Sequence, residues 1–206
     1  MIYTLLKFFS KWFFRFMGNP GIKGMRNIPH AGPVVIAANH SSLLDGFLLA
    51  AIWPQRITFL AAAYLFNSPA VGAILRAVGA IPVQSGGNNL AEKKTALKVL
   101  QRGDVLGLFP EGRIYQSDKL GPFNLGWAYF AINSGASIVP VVIKGTSAMM
   151  PKGKFFPRRA KIYIQIGAPW RIEPTLTPKQ ESYPAMNKRL NAGRATLVQE
   201  AIQNGS

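Results

Sequence analysis

The 206-residue chain contains no cysteine and only two histidines, His30 and His40. The absence of thiols excludes a disulfide framework, a cysteine nucleophile and a cysteine-based metal site. Acidic residues are scarce as well, with 8 Asp and Glu against 24 Lys and Arg, so each carboxylate is informative. A histidine general base therefore has only two candidates, and His30 lies between prolines in a turn-rich segment without a carboxylate nearby.

The low acid content leaves a formal charge of +16 and a pI near 10.5. Hydrophobic residues make up 49% of the chain and charged residues 16%, which is not the composition of a disordered basic tail. The length fits one domain with its own core. Such a positive charge predicts a polyanionic partner, which could be nucleic acid, an anionic membrane surface or a phosphorylated substrate.

The aromatic-rich segment 2–17 predicts an amphipathic helix. Thr4, Lys7, Lys11 and Arg15 follow one stripe at helical spacing, and Leu5, Phe8, Phe9, Trp12, Phe13 and Phe16 cover the other face. Sixteen helical residues extend about 24 Å, which is less than the roughly 30 Å of a bilayer core. Cations within the apolar run also argue against a signal peptide. The pattern favours a helix lying in the membrane interface, and packing on the domain's own core is the alternative.

After this segment, short β-rich runs alternate with longer helical patterns, which predicts a single α/β domain with a mixed, mostly parallel sheet flanked by helices. We therefore divide the chain into an amphipathic membrane-associating helix (1–20) and an α/β domain (21–206). The predicted strands are 34–36, 57–61, 80–83, 105–109, 138–143 and 161–166, and the predicted helices are 45–51, 69–78, 89–102, 123–134 and 184–203. Pro140 within 138–143 predicts an edge position or a bulge for that strand.

His40 and Asp45 follow the first predicted strand, with four residues between them. On a continuous helix their side chains would point about 140° apart, so they can meet only if the chain turns between them. That requires His40 at the strand end and Asp45 in the first turn of the next helix. A histidine held by a carboxylate is a general base with a fixed tautomer. Alternatively, Ser42-x-x-Asp45 is a helix capping box in which Asp45 only binds a backbone N–H.

A second cluster of polar residues, Glu111-Gly112-Arg113, follows the predicted strand 105–109. Ligands of α/β proteins gather at the carboxyl ends of strands, and a guanidinium suits phosphate because it donates two parallel hydrogen bonds. Glycine lets the backbone approach a ligand closely. A plain turn with an exposed ion pair is the alternative.

The motifs NHSSLLD, GAIPV, FPEGR and IVPVVIKG, in this order, resemble the PlsC-like glycerolipid acyltransferases of the lysophospholipid acyltransferase family. The resemblance covers about residues 22–167. It implies that His40 deprotonates a glycerolipid hydroxyl and that Asp45 orients His40. It also implies that Glu111, Gly112 and Arg113 surround the phosphate of the acceptor.

The resemblance further implies that Val139 and Pro140 belong to the acyl-donor site. The donor would be acyl-CoA or acyl carrier protein and the acceptor 1-acylglycerol-3-phosphate, with no metal or other cofactor. The sequence lacks a G-x-S-x-G elbow, a P-loop and a G-x-G-x-x-G motif, which favours direct transfer without an acyl-enzyme. The expected location is peripheral or monotopic on the cytoplasmic face of the cell membrane, with an anionic membrane surface and no nucleic acid as partner.

One position departs from the family pattern. Gln84 and Ser85 stand where an Asp-Arg pair commonly provides a second phosphate contact, although Arg76 or Lys144 could compensate. Another lysophospholipid or lyso-lipid therefore remains an alternative acceptor. Acyl exchange between phospholipids without a thioester is a further reading. The rival from another class is a non-catalytic basic module that binds membranes or nucleic acid.

Overall fold

The computed structural model describes residues 2–84, 90–115, 126–151, 153–154, 156–172 and 182–203. Within these residues the helices are α1 (Ile2–Met17), α2 (Leu44–Ile52), α3 (Pro69–Val78), α4 (Leu90–Gln101), α5 (Gly126–Ser134), α6 (Thr146–Met149) and α7 (Ser182–Gln203). The strands are β1 (Gly21–Lys23), β2 (Val34–Ala38), β3 (Ile57–Ala62), β4 (Ile81–Val83), β5 (Val105–Leu108), β6 (Ser137–Lys144) and β7 (Tyr163–Ile166). Each element predicted from the sequence has a counterpart here, while β1, α6 and two short 3-10 turns were not predicted. Asn89 and residues 123–125 of the predicted helices lie outside the described residues.

The strands form one sheet in the order β1-β7-β6-β2-β5-β3-β4. β6, β2, β5, β3 and β4 are parallel neighbours, whereas β7 is antiparallel to β6 and β1 is parallel to β7. The predicted class, a mixed and mostly parallel sheet in an α/β domain, is confirmed. β2 lies in the middle of this order, so the residues that follow it stand at the centre of the sheet's carboxyl edge, where ligands of such folds bind.

Both faces of the sheet are covered, which explains why β2 is apolar throughout. Val34, Ile36 and Ala38 belong to one core cluster, and Val35 and Ala37 belong to the other. α1 and α2 contribute to the first cluster, and α4, α5 and α7 contribute to the second. The two cores hold β2 and its carboxyl end in place.

The prediction of an edge position for β6 is wrong. β6 pairs with β2 on one side and with β7 on the other, so Pro140 lies in the interior of the sheet. The pairing is nevertheless irregular beside the proline: two residues separate Ile138 from Val141, and three separate their partners Ile166 and Trp170. An extra residue opposite a proline is the signature of a bulge, the second part of the prediction.

Helix α1 packs on the domain through one side. Ser10 and Phe14 are buried, and the helix lies against α2. Lys7 donates from Nζ to the carbonyl oxygens of Trp53 at 2.5 Å and Pro54 at 2.9 Å. A cation at the carboxyl end of α2 is favoured by the helix dipole. Lys7 therefore belongs to the packed side of α1 and not to an exposed cationic stripe.

The other side of α1 is exposed and mostly apolar. Its large exposed side chains are Ile2, Leu5, Phe8, Phe9, Trp12 and Phe16. Phe13, which was predicted for the same face, packs against the core instead. Among the described residues, no helix has both the length and the hydropathy needed to cross a bilayer.

Candidate active site

The loop after β2 is fixed to β6 by Asn39. Its Nδ2 donates to the Ile143 carbonyl oxygen at 2.9 Å, and its Oδ1 accepts from the Ile143 N–H at 2.7 Å. The buried amide thus continues the pairing of β2 with β6 for one more residue. Asn39 is a structural residue that sets the position from which His40 begins.

His40 and Asp45 meet in the way that their spacing required. His40 lies two residues beyond β2, and Asp45 is the second residue of α2. The His40 Nδ1 lies 3.0 Å from the Asp45 Oδ2, and the His40 side chain is 17% exposed while that of Asp45 is 0% exposed. Because the carboxylate accepts, Nδ1 carries the proton and Nε2 is the basic nitrogen. Nε2 is thus the atom suited to take a proton from a bound hydroxyl.

Asp45 also performs the capping role that was the alternative reading. Its Oδ2 accepts from the backbone N–H groups of Ser41 at 2.7 Å and Ser42 at 2.8 Å. Ser42 does not complete the capping box, because its hydroxyl donates to the Met150 carbonyl oxygen and accepts from Leu44 N–H. One carboxylate therefore closes the turn and holds the imidazole.

Thr146 is a site residue that the sequence did not reveal. Its buried hydroxyl donates to the Asp45 Oδ1 at 2.5 Å and lies 2.9 Å from the Ser41 Oγ. The preceding Gly145 has φ 90°, and a Cβ there would clash with the carbonyl oxygen of Lys161. Glycine is thus needed to turn the chain from β6 into α6 and aim Thr146 at Asp45.

Phe109 and Glu111 support His40 from the loop after β5. The rings of His40 and Phe109 are stacked with centroids 4.0 Å apart and 13° between their planes. The Glu111 Oε2 accepts from the His40 backbone N–H at 3.3 Å, and the Tyr115 N–H donates to the His40 carbonyl oxygen at 2.9 Å. His40 is therefore held by stacking of its ring and by hydrogen bonds to its backbone N–H and C=O groups.

The carboxylate of Glu111 is buried and paired with Arg194 of α7. The Arg194 Nη1 lies 3.2 Å from the Glu111 Oε1, and the two side chains are 10% and 1% exposed. Burial lowers the pKa of Arg194, and the charge of Glu111 opposes that shift. Glu111 is consequently a positioning residue, and the prediction that it surrounds the acceptor's phosphate receives no support from this geometry.

Beside His40 lies a cavity of about 470 Å³, within the range of ligand pockets. Residues of α1, α2, β3 and α3 make its wall largely apolar. Its polar and charged lining includes His40, Arg113, Lys93, Lys7 and Gln84, and no carboxylate occurs among the described residues that line it. The cavity suits an amphiphilic ligand with a negative group.

Two of the lining cations lie over aromatic rings. The Arg113 guanidinium lies 4.7 Å from the ring centre of Tyr115, and the Lys93 Nζ lies 5.4 Å from that of Tyr129. Gly112 lines the same wall beside Arg113. Lys93 was not predicted, because nothing in the sequence relates the first turn of α4 to the loop after β5.

Several other predicted residues lie away from the cavity lining. Val139 and Pro140 are buried within β6 and do not line the cavity. They can therefore affect donor binding only by positioning the strand. Arg76 is exposed and donates to the Phe66 carbonyl oxygen, and neither Arg76 nor Lys144 lines the cavity. Ser85 lies outside the described residues.

Two titratable groups of α1 also line the cavity. Burial lowers the pKa of Lys7, and the neighbouring charge of Lys11 adds to this shift. Burial raises the pKa of Tyr3, whose hydroxyl accepts from the Ile57 N–H at 3.0 Å. α1 therefore forms part of the cavity wall as well as an exposed surface.

The fold and this site define a class of protein: α/β domains that carry a histidine–aspartate pair at the carboxyl edge of a mostly parallel sheet. The chain belongs to the Acyltransferase family, whose model matches residues 20–144. This match includes β2, the His40–Asp45 loop, the Arg113 loop and the whole of β6.

Named relatives agree with the family. A 1-acyl-sn-glycerol-3-phosphate acyltransferase of Bacillus subtilis is 29% identical over 176 residues, which cover 84% of this chain and 85% of that protein. A chloroplastic 1-acyl-sn-glycerol-3-phosphate acyltransferase of Brassica napus is 29% identical over 135 residues, or 64% of this chain and 39% of that protein. The chain thus spans only about two fifths of the plant relative.

The fold is also that of a solved structure. The 1-acyl-sn-glycerophosphate acyltransferase PlsC from Thermotoga maritima matches with a TM-score of 0.78 at 23% identity, covering 96% of this chain and 78% of that chain. At this identity the match concerns the fold alone.

Proposed function

We propose that this chain transfers a fatty acyl group from acyl-CoA or acyl carrier protein to the free hydroxyl of 1-acylglycerol-3-phosphate. The observation that carries the proposal is the His40–Asp45 pair at the wall of an apolar cavity that also presents cations. The relatives named as 1-acyl-sn-glycerol-3-phosphate acyltransferases support the choice of acceptor.

The geometry suits direct transfer by general-base catalysis. His40 Nε2 takes the proton of the acceptor hydroxyl as its oxygen attacks the thioester carbonyl carbon. The new C–O bond forms, the C–S bond breaks, and the proton passes from His40 to the departing thiolate. Asp45 stabilises the imidazolium formed in between. A positioned base contributes about 10²–10⁴-fold to the rate.

Binding of both substrates follows from the cavity lining. The apolar wall offers a place for an acyl chain, which gains about 0.8 kcal/mol for each buried methylene before ordering costs are subtracted. Arg113 and Lys93 carry the positive charge for the acceptor's phosphate. Lys93 is our candidate for the second cation that Gln84 does not supply.

Lipid substrates are reached at a membrane surface, and α1 is our candidate for the segment that binds this surface. Its exposed apolar side chains are those expected of an interfacial helix, and its packed side reaches the cavity wall. We propose that the protein is peripheral or monotopic on the cytoplasmic face of the cell membrane. The absence of a metal or other cofactor stays a prediction.

A second candidate acceptor keeps the same site. Gln84 at the cavity wall is exposed and uncharged, so another lysophospholipid with a substituted phosphate could replace 1-acylglycerol-3-phosphate. In that case the transfer chemistry is unchanged and only the head group differs.

A panel of lyso-lipid acceptors with acyl-CoA and acyl carrier protein donors, read by mass spectrometry, tests the proposal. We expect 1-acylglycerol-3-phosphate to be acylated, with consumption of the thioester. Preference for a lysophospholipid with a substituted phosphate would support the second candidate. Acyl exchange without thioester would exclude both donors, and no product in any combination would favour a non-catalytic binding module.

A further inference from the structure

The segment between α6 and β7 is an exposed basic loop, defined here as residues 151–161. Its sequence PKGKFFPRRAK contains five Lys and Arg and no acid, and no Asp or Glu occurs anywhere in residues 119–172. Residues 152 and 155 lie outside the described residues. Of the others, Lys154, Arg158, Arg159 and Lys161 are exposed. Phe156 is 90% exposed, more than any other large hydrophobic side chain described.

The basic loop is anchored where it returns to the domain. The Arg158 N–H donates to the Met149 carbonyl oxygen at 2.9 Å, and the Arg158 Nε donates to the Ala148 carbonyl oxygen at 2.8 Å. The Ala160 N–H donates to the Met17 carbonyl oxygen at 3.3 Å. These bonds fix the basic residues on α6 and on the last residue of α1.

The loop is also continuous with the exposed face of α1. The Arg159 guanidinium lies 4.7 Å from the ring centre of Phe16, within the range of a cation–π contact. Residues 1–44 contain no acid either, and Lys11 and Arg15 of α1 are exposed. α1 and the basic loop thus join into one surface that combines bulky apolar side chains with cations, and neither segment contributes a carboxylate to it.

We propose that the basic loop is a second membrane anchor: Phe156 enters the interface of an anionic bilayer, and Lys154, Arg158 and Arg159 contact its head groups. The proposal rests on the membrane-surface part of the proposed function and adds the element that fixes orientation. If α1 were the only contact with the membrane, the domain could rotate about the axis of this helix. A second contact beside the carboxyl end of α1 restricts that rotation. Because α1 also lines the cavity, a fixed orientation keeps the cavity beside the lipid.

An anionic bilayer explains the apolar side chains and the cations together. A nucleic acid would neutralise the cations, but it would leave the row from Leu5 to Phe16 in water. Contiguous exposed apolar patches of that kind mark interaction sites for protein or membrane. A protein partner gives no comparable reason for a surface free of carboxylates. Interfacial anchors combine aromatic residues with cations that anionic lipids attract.

The 206-residue chain contains no cysteine, which allows a direct test by single-cysteine labelling. Phe156→Cys and Trp12→Cys report on the basic loop and on α1. Ala195→Cys is the matched control, an exposed apolar position on α7, which packs on the other face of the sheet. Each variant carries one environment-sensitive fluorophore and is mixed with vesicles of equal phosphatidylglycerol and phosphatidylcholine. We expect a blue shift and protection from iodide quenching at positions 156 and 12, and no change at position 195.

A charge test separates local contact from net charge. Lys154→Gln/Arg159→Gln removes two cations from the basic loop, and Lys94→Gln/Lys98→Gln removes two from exposed positions on α4. We expect the loop variant to lose about fivefold in vesicle affinity for each removed cation. The α4 variant should remain within about twofold of the unaltered protein, because its charges lie on the other face of the sheet.

A label at position 156 that stays in water while position 12 is protected would overturn the proposal, as would equal losses in the two charge variants. Binding to duplex DNA without binding to the vesicles would also overturn it. Acyl transfer to short-chain substrates below their critical micelle concentration is measured in parallel. Activity there without docking at position 156 refutes the second anchor alone, and docking without activity refutes the proposed chemistry alone.

Discussion

At the scale of single residues, the four hydrogen bonds of Asp45 explain why two readings of the same motif are both realised. A buried carboxylate requires partners for both oxygens. Oδ2 closes the turn through two backbone N–H groups and holds His40, and Oδ1 binds Thr146. Capping and orientation of the imidazole are thus two consequences of one geometry.

Thr146 should therefore affect the rate more than substrate binding. Thr146→Val keeps the shape but leaves Oδ1 without its donor, and a hydrogen bond to a charged group is worth about 1.5–3 kcal/mol. We expect kcat to fall about 10- to 100-fold with KM nearly unchanged. Steady-state kinetics of both substrates, with the unfolding midpoint measured alongside, provide the test.

Thr146→Ser is the control because it restores the hydroxyl. It should recover most of the rate, since serine can donate to Oδ1 as threonine does. A Thr146→Ser variant as slow as Thr146→Val, or a loss that appears only in KM, would show that Thr146 does not act through Asp45.

The His40–Asp45 contact could be predicted from local spacing because both residues belong to one strand–turn–helix unit. Thr146 is 101 residues from Asp45, and Arg194 is 83 residues from Glu111. Contacts over such separations depend on strand order and helix placement, which single-sequence patterns do not encode. Glu111 was predicted near the site from its position after a strand end and from the family resemblance, but its pairing with Arg194 of α7 was not predicted.

At the scale of elements, the loop after β2 is held by the segment that follows β6. Asn39 binds Ile143, the Ser41 hydroxyl lies within hydrogen-bond distance of that of Thr146, and Ser42 binds Met150. One attachment thus precedes His40 and two follow it. The β6 motif thereby contributes to the site although its strand residues are buried. This is our physical account of why IVPVVIKG accompanies the histidine motif.

Helix α7 is linked to the site by the buried pair of Arg194 and Glu111, and breaking the pair should be costly. Arg194→Met removes one partner of a buried ion pair, for which the expected loss of unfolding free energy is about 3–5 kcal/mol. Denaturant unfolding measures it. Lys188→Met, an exposed substitution on α7, is the matched control and should change stability by less than about 0.5 kcal/mol.

Adding Glu111→Gln to Arg194→Met replaces the buried carboxylate with a neutral amide while keeping an oxygen for the His40 N–H. The double variant should regain part of the lost stability. If Arg194→Met is no less stable than the unaltered chain, the pair does not fasten α7 to the site.

The predicted bounds of an element agree with the structure where the hydrophobic pattern is local and extends over many residues. The 3.6-residue spacing of 2–17 matches α1, and the apolar run of β2 matches its burial on both faces. β1 was missed because three residues carry no periodicity and pair only with β7, about 140 residues away. Pro140 misled the prediction because a proline in an interior strand is tolerated only with the irregular pairing observed beside it.

At the scale of the whole molecule, the few acidic residues are absent from particular surfaces. The described lining of the cavity has cations without carboxylates, and so have α1 and the basic loop. In our proposals, neighbouring parts of one surface attract the phosphate of the substrate and the anionic lipids of the membrane. Composition predicts a polyanionic partner, and the fold places the cations of the cavity lining near those of α1 and the basic loop.

The central claim is that His40 is the base of a thioester-dependent acyl transfer, and one measurement tests it most directly. His40→Ala and the unaltered protein are compared in single-turnover release of free thiol from acyl-CoA or acyl carrier protein in the presence of 1-acylglycerol-3-phosphate, with the unfolding midpoint of each recorded. The account predicts a rate lower by about 10²–10⁴-fold in a variant that remains folded. Undiminished thiol release and lipid product from folded His40→Ala would contradict it.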